Sequence, residues 1–269
     1  MEKIAIIMSV YKNDKLSELK QAIESLYDQT QKADIFIQQD GKLSKELEKF
    51  LDNELRLKKI FYLGKRDRNL GLSSSLNELL NIVLLKYSYI VRMDADDISV
   101  STRIEKQVEF LESHSDIQAV GGWIEEFNID TGEKHIIRYG EFHNELKKNL
   151  LKRNPLAHVT ICFRNTFFNT ISSYDAEKLN EDFDLWIRAF KQDVKLHCLP
   201  EVLVKVRTSN DFFARRKNFR RAKEVMLLKF DATRTFGFGI RGYFYAVAHF
   251  VLFLLPSSIK IYLYKNMRN

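Results

Sequence analysis

The chain has 269 residues, 45% of them hydrophobic and 29% charged. This composition excludes an intrinsically disordered chain and allows one large domain, or one domain with a small appendage. The two cysteines, Cys162 and Cys198, are too few for a disulfide scaffold or a cysteine-rich zinc site, so we expect two partly buried free thiols. The N-terminal apolar run is only one strand long and lacks the layout of a signal peptide, which predicts a protein that is not secreted.

The first half of the sequence alternates short apolar runs with amphipathic stretches. Four runs are rich in β-branched or aromatic residues and end in polar turns, as strands do: Ile4–Val10, Ile35–Gln39, Ile60–Leu63 and Tyr89–Met93. Between them, apolar residues recur at helical spacing over 16–26, 43–51 and 72–80. This alternation predicts right-handed crossovers and a parallel sheet covered by helices on both faces.

The second half predicts a mixed continuation of this fold. We expect helices over Arg103–Leu111 and Asp182–Phe190, antiparallel strands over Ala119–Ile124 and Thr160–Phe163, and a short strand over Lys195–Leu199. The predicted fold class is therefore α/β, with a mixed, mostly parallel sheet flanked by helices and a helical, basic C-terminal extension. We divide the chain into a catalytic domain over 1–210 and a basic, aromatic helical segment over 211–269.

The net charge of +7 is unevenly distributed. From Arg215 onward the chain has twelve Lys and Arg against two acids, and six of these cations lie within 215–223. The apolar run Tyr243–Leu255 is interrupted only by His249 and is shorter than the roughly 20 residues of a membrane span. Aromatic residues combined with cations predict a segment that lies on an anionic membrane surface. A helix that covers the core or forms a dimer contact is the alternative.

An acidic turn follows the fourth predicted strand. Ligands of parallel α/β sheets bind beyond the carboxyl ends of the strands, where Asp94, Asp96 and Asp97 are expected. Three carboxylates this close repel one another unless a cation lies between them, and oxygen ligands suit Mg²⁺ or Mn²⁺ bound to the phosphates of a substrate. Helix capping explains one of the acids but not all three.

The segment Met93–Asp97 resembles the DxD motif of the GT-A fold, in particular that of family 2 glycosyltransferases. Further segments resemble that family's motifs in the family's order: Ser9–Asn13, in which Lys12 departs from the pattern, Gln39–Gly41, Arg68–Gly71 with Asn77, and Glu181–Trp186. Each is weak by itself, but together they are specific and extend over most of 1–210. The resemblance implies a GT-A, Rossmann-like domain and a metal-dependent glycosyltransferase of the bacterial polysaccharide or O-antigen type.

The resemblance also implies roles on the donor side. Asp40 is expected to accept a hydrogen bond from the nucleobase and Tyr11 to stack on it, although a turn aspartate and a packing tyrosine are the alternatives. Asp94 is expected to bind the ribose or the donor sugar, and Asp94 and Asp96 to hold Mn²⁺ or Mg²⁺. The remaining residues expected to bind the nucleotide are Asn13, Arg68, Asn69 and Arg207, and Arg215 or Arg216 are further candidates for the diphosphate; for these arginines a solvated basic face is the alternative.

On the acceptor side, the resemblance implies that Asp182 is the catalytic base and that Glu181 orients the acceptor. Two acids that cap a helix are the alternative. His158, in an Asn-Pro…His segment, is a further acceptor-side candidate or a structural histidine.

The expected function is an inverting transfer from a nucleotide-sugar, with UDP favoured, to a saccharide acceptor that is lipid-linked. We expect the protein in the cytoplasm, peripherally attached to the inner face of the cell membrane. A sugar nucleotidyltransferase is an alternative, although no glycine-rich loop follows the first strand. A nucleic-acid-binding protein is another, although the cations are confined to the tail. An inactive relative is disfavoured because all the expected acids are present.

Overall fold

The computed structural model describes residues 3–209 and 218–255. Within them a nine-stranded mixed sheet runs in the order β3-β2-β1-β4-β8-β6-β9-β5, with β7 paired to β6. The strands are β1 (Ile4–Tyr11), β2 (Asp34–Asp40), β3 (Tyr62–Gly64), β4 (Tyr89–Met93), β5 (Ile98–Ser99), β6 (Ile117–Asn128), β7 (Lys134–Ile137), β8 (Cys162–Arg164) and β9 (Lys195–Thr208).

Helices flank the sheet, and one 3₁₀ turn, His158–Thr160, precedes β8. The α-helices are α1 (Leu16–Tyr27), α2 (Lys45–Arg56), α3 (Leu72–Val83), α4 (Arg103–Ser113), α5 (His143–Asn149), α6 (Phe167–Ile171), α7 (Glu181–Lys191), α8 (Phe219–Phe236) and α9 (Gly239–Leu254). The predicted α/β class with a helical C-terminal extension is confirmed.

The parallel core β3-β2-β1-β4 follows the predicted alternation of strands and helices. Tyr11, at the end of β1, lies opposite Asp40 at the end of β2, and Met8 lies opposite Met93 at the end of β4. The polar turns after these three strands therefore emerge at one edge of the sheet. This register sets the position of the site.

Alternate residues of β1 pack on opposite faces of the sheet. Ile7 belongs to a buried cluster with Leu76 of α3 and Trp186 of α7, whereas Ile6 belongs to a second cluster with Leu19 of α1. A strand covered on both faces is apolar throughout instead of alternating with polar residues. The helical layers on both faces hold the sheet edge in place.

The second half differs from the prediction in two strands. β8 is antiparallel to β4 as expected, but β6 is antiparallel to β8 and so runs in the same direction as β4. β9 continues nine residues beyond the predicted end at Leu199, because Pro200 and Glu201 form an irregularity between paired segments of β9 and do not terminate it. Proline is tolerated in a strand at such a bulge.

The described C-terminal helices pack closely on each other. A Cβ on Gly242 of α9 would lie 2.3 Å from Thr233 Oγ1 of α8, so only glycine allows this approach. No helix in 3–209 or 218–255 combines the length and apolar character needed to cross a membrane. The predicted domain boundary at 210/211 lies outside the described residues, as do Arg215 and Arg216. Cys162 and Cys198 are buried free thiols.

Candidate active site

A cavity of about 810 Å³ opens at the edge where β1, β2 and β4 end. The first turn of α7 and residues of α8 and α9 complete its wall. Most of the predicted site residues line it: Tyr11, Asp40, Asn69, Asp94, Asp96, His158, Glu181 and Asp182. Asn13, Arg68 and Arg207 are not among the lining residues.

The acidic turn after β4 brings three carboxylates together. Ligand oxygens of Asp94, Asp96 and Asp97 lie within 4.8 Å of one another. Since β5 follows the turn and pairs with β9, the backbone N–H of Arg207 donates to Asp97 Oδ1 at 2.8 Å. The buried Arg92 donates from Nη1 to Asp94 Oδ2 at 2.5 Å. The turn is thus anchored through Asp94 and Asp97, and Asp96 is its exposed member.

The carboxylates at this edge hold protons more tightly than usual. Burial raises the pKa of Asp14 to about 7, with further contributions from Asp96 and Asp94. Surrounding protein partly desolvates Asp96 and, with the charge of Asp94, raises its pKa to about 6, and burial raises the pKa of Asp97 well above its usual value. A divalent cation would relieve this repulsion, and carboxylate oxygens are the ligands that Mg²⁺ and Mn²⁺ prefer. The donor set fits the predicted metal.

Asp40, at the end of β2, organises the loop that follows β3. Its buried carboxylate accepts hydrogen bonds from Arg66 Nη2 at 2.5 Å and from the backbone N–H groups of Leu70 and Gly71 at 2.7 and 3.0 Å. These contacts make it a loop anchor, and its predicted contact with a nucleobase stays a prediction. Sequence reasoning missed Arg66, because the run Lys65–Arg68 contains three cations and gives no sign of which one turns inward.

The turn at Gly41 packs against the same loop. Gly41 has a φ of +85°, and a Cβ there would lie 2.8 Å from the backbone nitrogen of Asn69. The Asn69 amide donates to the Asp40 carbonyl at 3.2 Å. Asn69 therefore lines the cavity. Arg68 beside it is exposed and is not one of the lining residues.

The first turn of α7 presents two adjacent acids to the cavity. Asp182 accepts hydrogen bonds from the side-chain amide of Asn154 and from the N–H of Phe183, the latter at 2.7 Å. Burial, reinforced by the charge of Asp182, raises the pKa of Glu181 to about 7. Asn154 is buried at Oδ1, which has no hydrogen-bond partner among the described residues. Asn154 therefore orients Asp182, and it is itself one of the residues that line the cavity.

His158 is held in a neutral form by its surroundings. It is buried, its Nε2 lies 2.8 Å from the Tyr174 hydroxyl, and its ring lies edge-on to Trp186. Burial lowers the pKa of His158 well below its usual value. This polar contact with Tyr174 gives His158 a structural role, and its side chain nevertheless forms part of the cavity wall.

Arg207 supports the acidic turn instead of lining the cavity. Its guanidinium donates to the carbonyl of Asp96 at 3.0 Å and to Gln21 at 2.9 Å, and it lies over the ring of Phe127. Asn13 is exposed in the turn after β1, where its neighbour Asp14 lines the cavity instead. The predicted nucleotide contacts of Arg207 and Asn13 stay predictions that these positions do not favour.

Helix α8 forms hydrogen bonds with the residues that precede α7. Glu224 accepts hydrogen bonds from the backbone N–H groups of Leu179 and Asn180, both at 2.9 Å. Arg221 donates from Nη2 to the carbonyl of Leu179 at 2.6 Å. The helix therefore holds the start of α7 by bonds in both directions. Composition indicated a membrane surface or a helix that covers the core, and neither indicates which residues of α8 bond to the segment before α7.

Glu181→Gln tests the burial of the Glu181 carboxylate. Because its pKa rises from 4.5 to about 7 on folding, the folded protein binds this proton more tightly than the unfolded chain. The cost of burying the charged Glu181 carboxylate is absent at acid pH, where the group is protonated. This cost grows as the pH rises from 4.5 to about 7 and above. We expect the Tm of Glu181→Gln to match that of the wild type at pH 4.5 and to exceed it at pH 8. Thermal melts at both pH values, with the exposed Glu177→Gln as control, measure this; an equal difference at both contradicts it.

Comparisons with known proteins identify the family to which the chain belongs. The family model described as "Glycosyl transferase family 2" matches residues 5–173. The chain is 30% identical over 98% of its length to the amylovoran biosynthesis glycosyltransferase AmsE of Erwinia amylovora, covering 98% of that protein. It is 27% identical to the Escherichia coli UDP-Gal:alpha-D-GlcNAc-diphosphoundecaprenol beta-1,3-galactosyltransferase, over 98% of this chain and 96% of the relative.

Solved structures show the same fold. TarS of S. aureus, residues 1–349 in complex with UDP-GlcNAc, superposes with a TM-score of 0.62 at 13% identity, over 94% of this chain and 70% of that fragment. The chain spans 43% of the longer TarS structure. The match of the family model and the 30% identity with AmsE along almost the whole length of both chains show that the protein belongs to glycosyl transferase family 2 and is a glycosyltransferase.

Proposed function

We propose that the protein is an inverting glycosyltransferase that moves a sugar from a UDP-sugar to a hydroxyl group of a lipid-linked saccharide in cell-surface polysaccharide synthesis. Support comes from one cavity lined by both the acidic turn Asp94–Asp97 and the carboxylate of Asp182. An inverting transfer requires charge stabilisation at the leaving diphosphate and a base at the acceptor hydroxyl. The cavity offers groups for both.

The relatives support the proposed substrates. The E. coli relative is named for UDP-Gal and a diphosphoundecaprenol-linked sugar, AmsE is named for amylovoran biosynthesis, and the TarS fragment was crystallised with UDP-GlcNAc. Membership in family 2 favours a glycosyltransferase over the two alternatives of the sequence analysis, a sugar nucleotidyltransferase and a nucleic-acid-binding protein.

On the donor side, we assign the nucleotide to the part of the cavity between β1 and the loop after β3. Tyr11 is partly exposed at the end of β1, where its ring can stack on a base. Asp40 and the loop that it holds supply backbone and amide groups near Asn69 for hydrogen bonding. Asp94, paired with Arg92, is assigned to the ribose or the donor sugar.

Mn²⁺ or Mg²⁺ would be held by Asp96 and Asp94, with Asp97 beside them. Such a cation, when bound, neutralises charge that develops on the leaving diphosphate. Arg207 contributes by fixing the backbone of the turn, through its bond to the Asp96 carbonyl. The buried Arg92 adds a fixed positive charge at the same turn.

Asp182 is assigned as the catalytic base. As the acceptor oxygen attacks the anomeric carbon, the carboxylate takes the hydroxyl proton and the bond to the diphosphate oxygen breaks, which inverts the configuration. The bonds from Asn154 and the Phe183 N–H hold the carboxylate in one orientation. Glu181, whose pKa of about 7 leaves it partly protonated at neutral pH, can donate to or accept from an acceptor hydroxyl.

The exposed face of α9 is assigned to a membrane surface, which places the protein in the cytoplasm at the inner face of the cell membrane. Ile240 and Phe244 are 86% and 70% exposed, and Val251 is exposed further along the helix. No acid follows Asp231 in the sequence, so an anionic leaflet meets no repulsion there. Docking at a membrane would bring a lipid-linked acceptor to the cavity.

Asp96→Asn tests the donor and metal side. We expect UDP with Mn²⁺ to raise the Tm of the wild-type protein, and the increase to disappear in Asp96→Asn because a metal ligand is lost. Loss of metal-assisted stabilisation should lower transfer or donor hydrolysis by about 100-fold or more. Asp116→Asn, an exposed acid far along the chain, is the matched control. A wild type that no nucleotide stabilises, with or without metal, would refute the proposed function.

Asp182→Asn tests the base. It keeps the size of the side chain and one oxygen to accept from the Phe183 N–H, but its NH₂ group can neither accept from Asn154 nor take a proton, so we expect turnover to fall by roughly 10²–10⁴-fold. UDP binding should stay unchanged, because Asp182 is assigned to the acceptor side. Steady-state kinetics and UDP titration measure the two quantities, with Glu177→Gln as control. Turnover within a few fold of the wild type would exclude Asp182 as the base.

Binding to vesicles tests the assignment of α9. We expect the full chain to co-sediment with phosphatidylglycerol vesicles more strongly than with phosphatidylcholine vesicles. Phe244→Asp should weaken binding by about tenfold, from lost burial of the ring and added repulsion. Phe61→Asp, an equally exposed ring near β3, is the matched control. Equal binding by the two variants would overturn the assignment of this face.

A further inference from the structure

The cavity wall contributed by α8 and α9 is positively charged. Arg221, Val225 and Lys229 are spaced by four residues, so they lie on one face of α8, and all three line the cavity. His249 lines it from α9. Arg221, Lys229 and His249 are called the basic wall below. The predicted site does not use any of the three.

Lys229 is buried, and none of the described acids supplies it with a counter-charge. Its side chain is 3% exposed, and burial alone lowers its pKa to about 8. Its ammonium donates to the carbonyl of Leu151 at 2.7 Å, which uses one of its three N–H groups. Within 3–209 and 218–255, no carboxylate forms an ion pair with it. An unpaired buried charge costs stability unless an anion compensates it.

His249 adds a ring nitrogen without a described hydrogen-bond partner close to Lys229. Its Nδ1 is buried and has no hydrogen-bond partner among the residues that the structure describes. Burial, with the charge of Lys229, lowers its pKa to about 4, so the ring is neutral at pH 7. An anion between the two side chains would accept a hydrogen bond from Nδ1 in the tautomer that protonates this nitrogen, and it would stabilise the charge of Lys229.

The basic wall lies beside the residues that flank the proposed base, Asp182. Lys229 Nζ lies 5.8 Å from the centre of the Phe183 ring, the residue after Asp182, and Arg221 bonds to the carbonyl of Leu179 in the segment before α7. The cations at the acidic turn are different ones, Arg92 and Arg207. A phosphate held by the basic wall is therefore close to the group that activates the acceptor.

We propose that the basic wall binds a phosphate group of the acceptor, so that the acceptor is a sugar linked through phosphate to a lipid carrier. Lys229 and Arg221 supply the charge, and His249 supplies a hydrogen bond from Nδ1. This proposal rests on the proposed function and deepens it. It explains why a buried lysine lines the acceptor side of the cavity.

The test measures binding of geranyl diphosphate, a soluble prenyl diphosphate without sugar or nucleotide, to protein saturated with UDP and Mg²⁺. Calorimetric titration should show binding to the wild type and none of geraniol, the neutral analogue. Lys229→Met keeps the apolar stem, and we expect it to weaken binding by about tenfold or more, because a charge-assisted contact is lost. Lys229→Arg should retain most of the affinity, and Lys223→Met, an exposed cation on the same helix, should leave it unchanged.

Two results would overturn the proposal. In the first, geranyl diphosphate binds only in the absence of UDP, which means that it occupies the donor site. In the second, Lys229→Met and Lys223→Met bind geranyl diphosphate with equal affinity, which means that the basic wall does not hold the phosphate. If Lys229→Met fails to fold, His249→Gln provides the same comparison. UDP binding is measured alongside: its absence refutes the proposed function itself, whereas its presence without geranyl diphosphate binding refutes only the basic wall as a phosphate site.

Discussion

Electrostatic repulsion among carboxylates at one sheet edge is the constraint on which the rest of the site depends. The parallel register of β1, β2 and β4 brings Asp14, Asp40 and the Asp94–Asp97 turn to the same edge, where burial raises several of their pKa values. The fold compensates this charge from within: Arg66 pairs with Asp40, and Arg92 with Asp94. What is left uncompensated centres on Asp96, and we propose that this remaining charge attracts a divalent cation bound to a diphosphate.

The acceptor side is organised by the C-terminal helices. Glu224 and Arg221 bond to the residues just before α7, so the position of Asp182 depends on α8 as well as on the sheet. The same helix carries Lys229 into the cavity, and Gly242 lets α9 approach closely enough to add His249. The described C-terminal helices are thus a part of the cavity wall, as the core-covering alternative expects, and contact of their exposed face with a membrane stays a proposal.

The motifs located the site because each lies at the end of a strand or the start of a helix, where short-range pattern and position agree. Asp40, Asp94, Asp96 and Asp182 all line the cavity for that reason. Local sequence pattern does not indicate the direction of a side chain that depends on distant partners. Arg207 bonds to the backbone of the acidic turn because β9 pairs with β5. β9 extends past Pro200 because β6 continues beside it. Neither strand pairing can be predicted from the local periodicity of the sequence.

The sequence by itself determined the strand–helix alternation of the first half, the cluster of acids after β4, and the contrast between an acidic catalytic half and a basic tail, because these follow from local pattern and composition. Only the tertiary structure decided which cation compensates which acid. Arg66 rather than Arg68 meets Asp40, and Lys229 of the tail reaches the cavity beside α7. The reason is physical: burial and ion pairing depend on which surfaces pack together across long sequence separations, and a run of similar cations does not encode which of them turns inward.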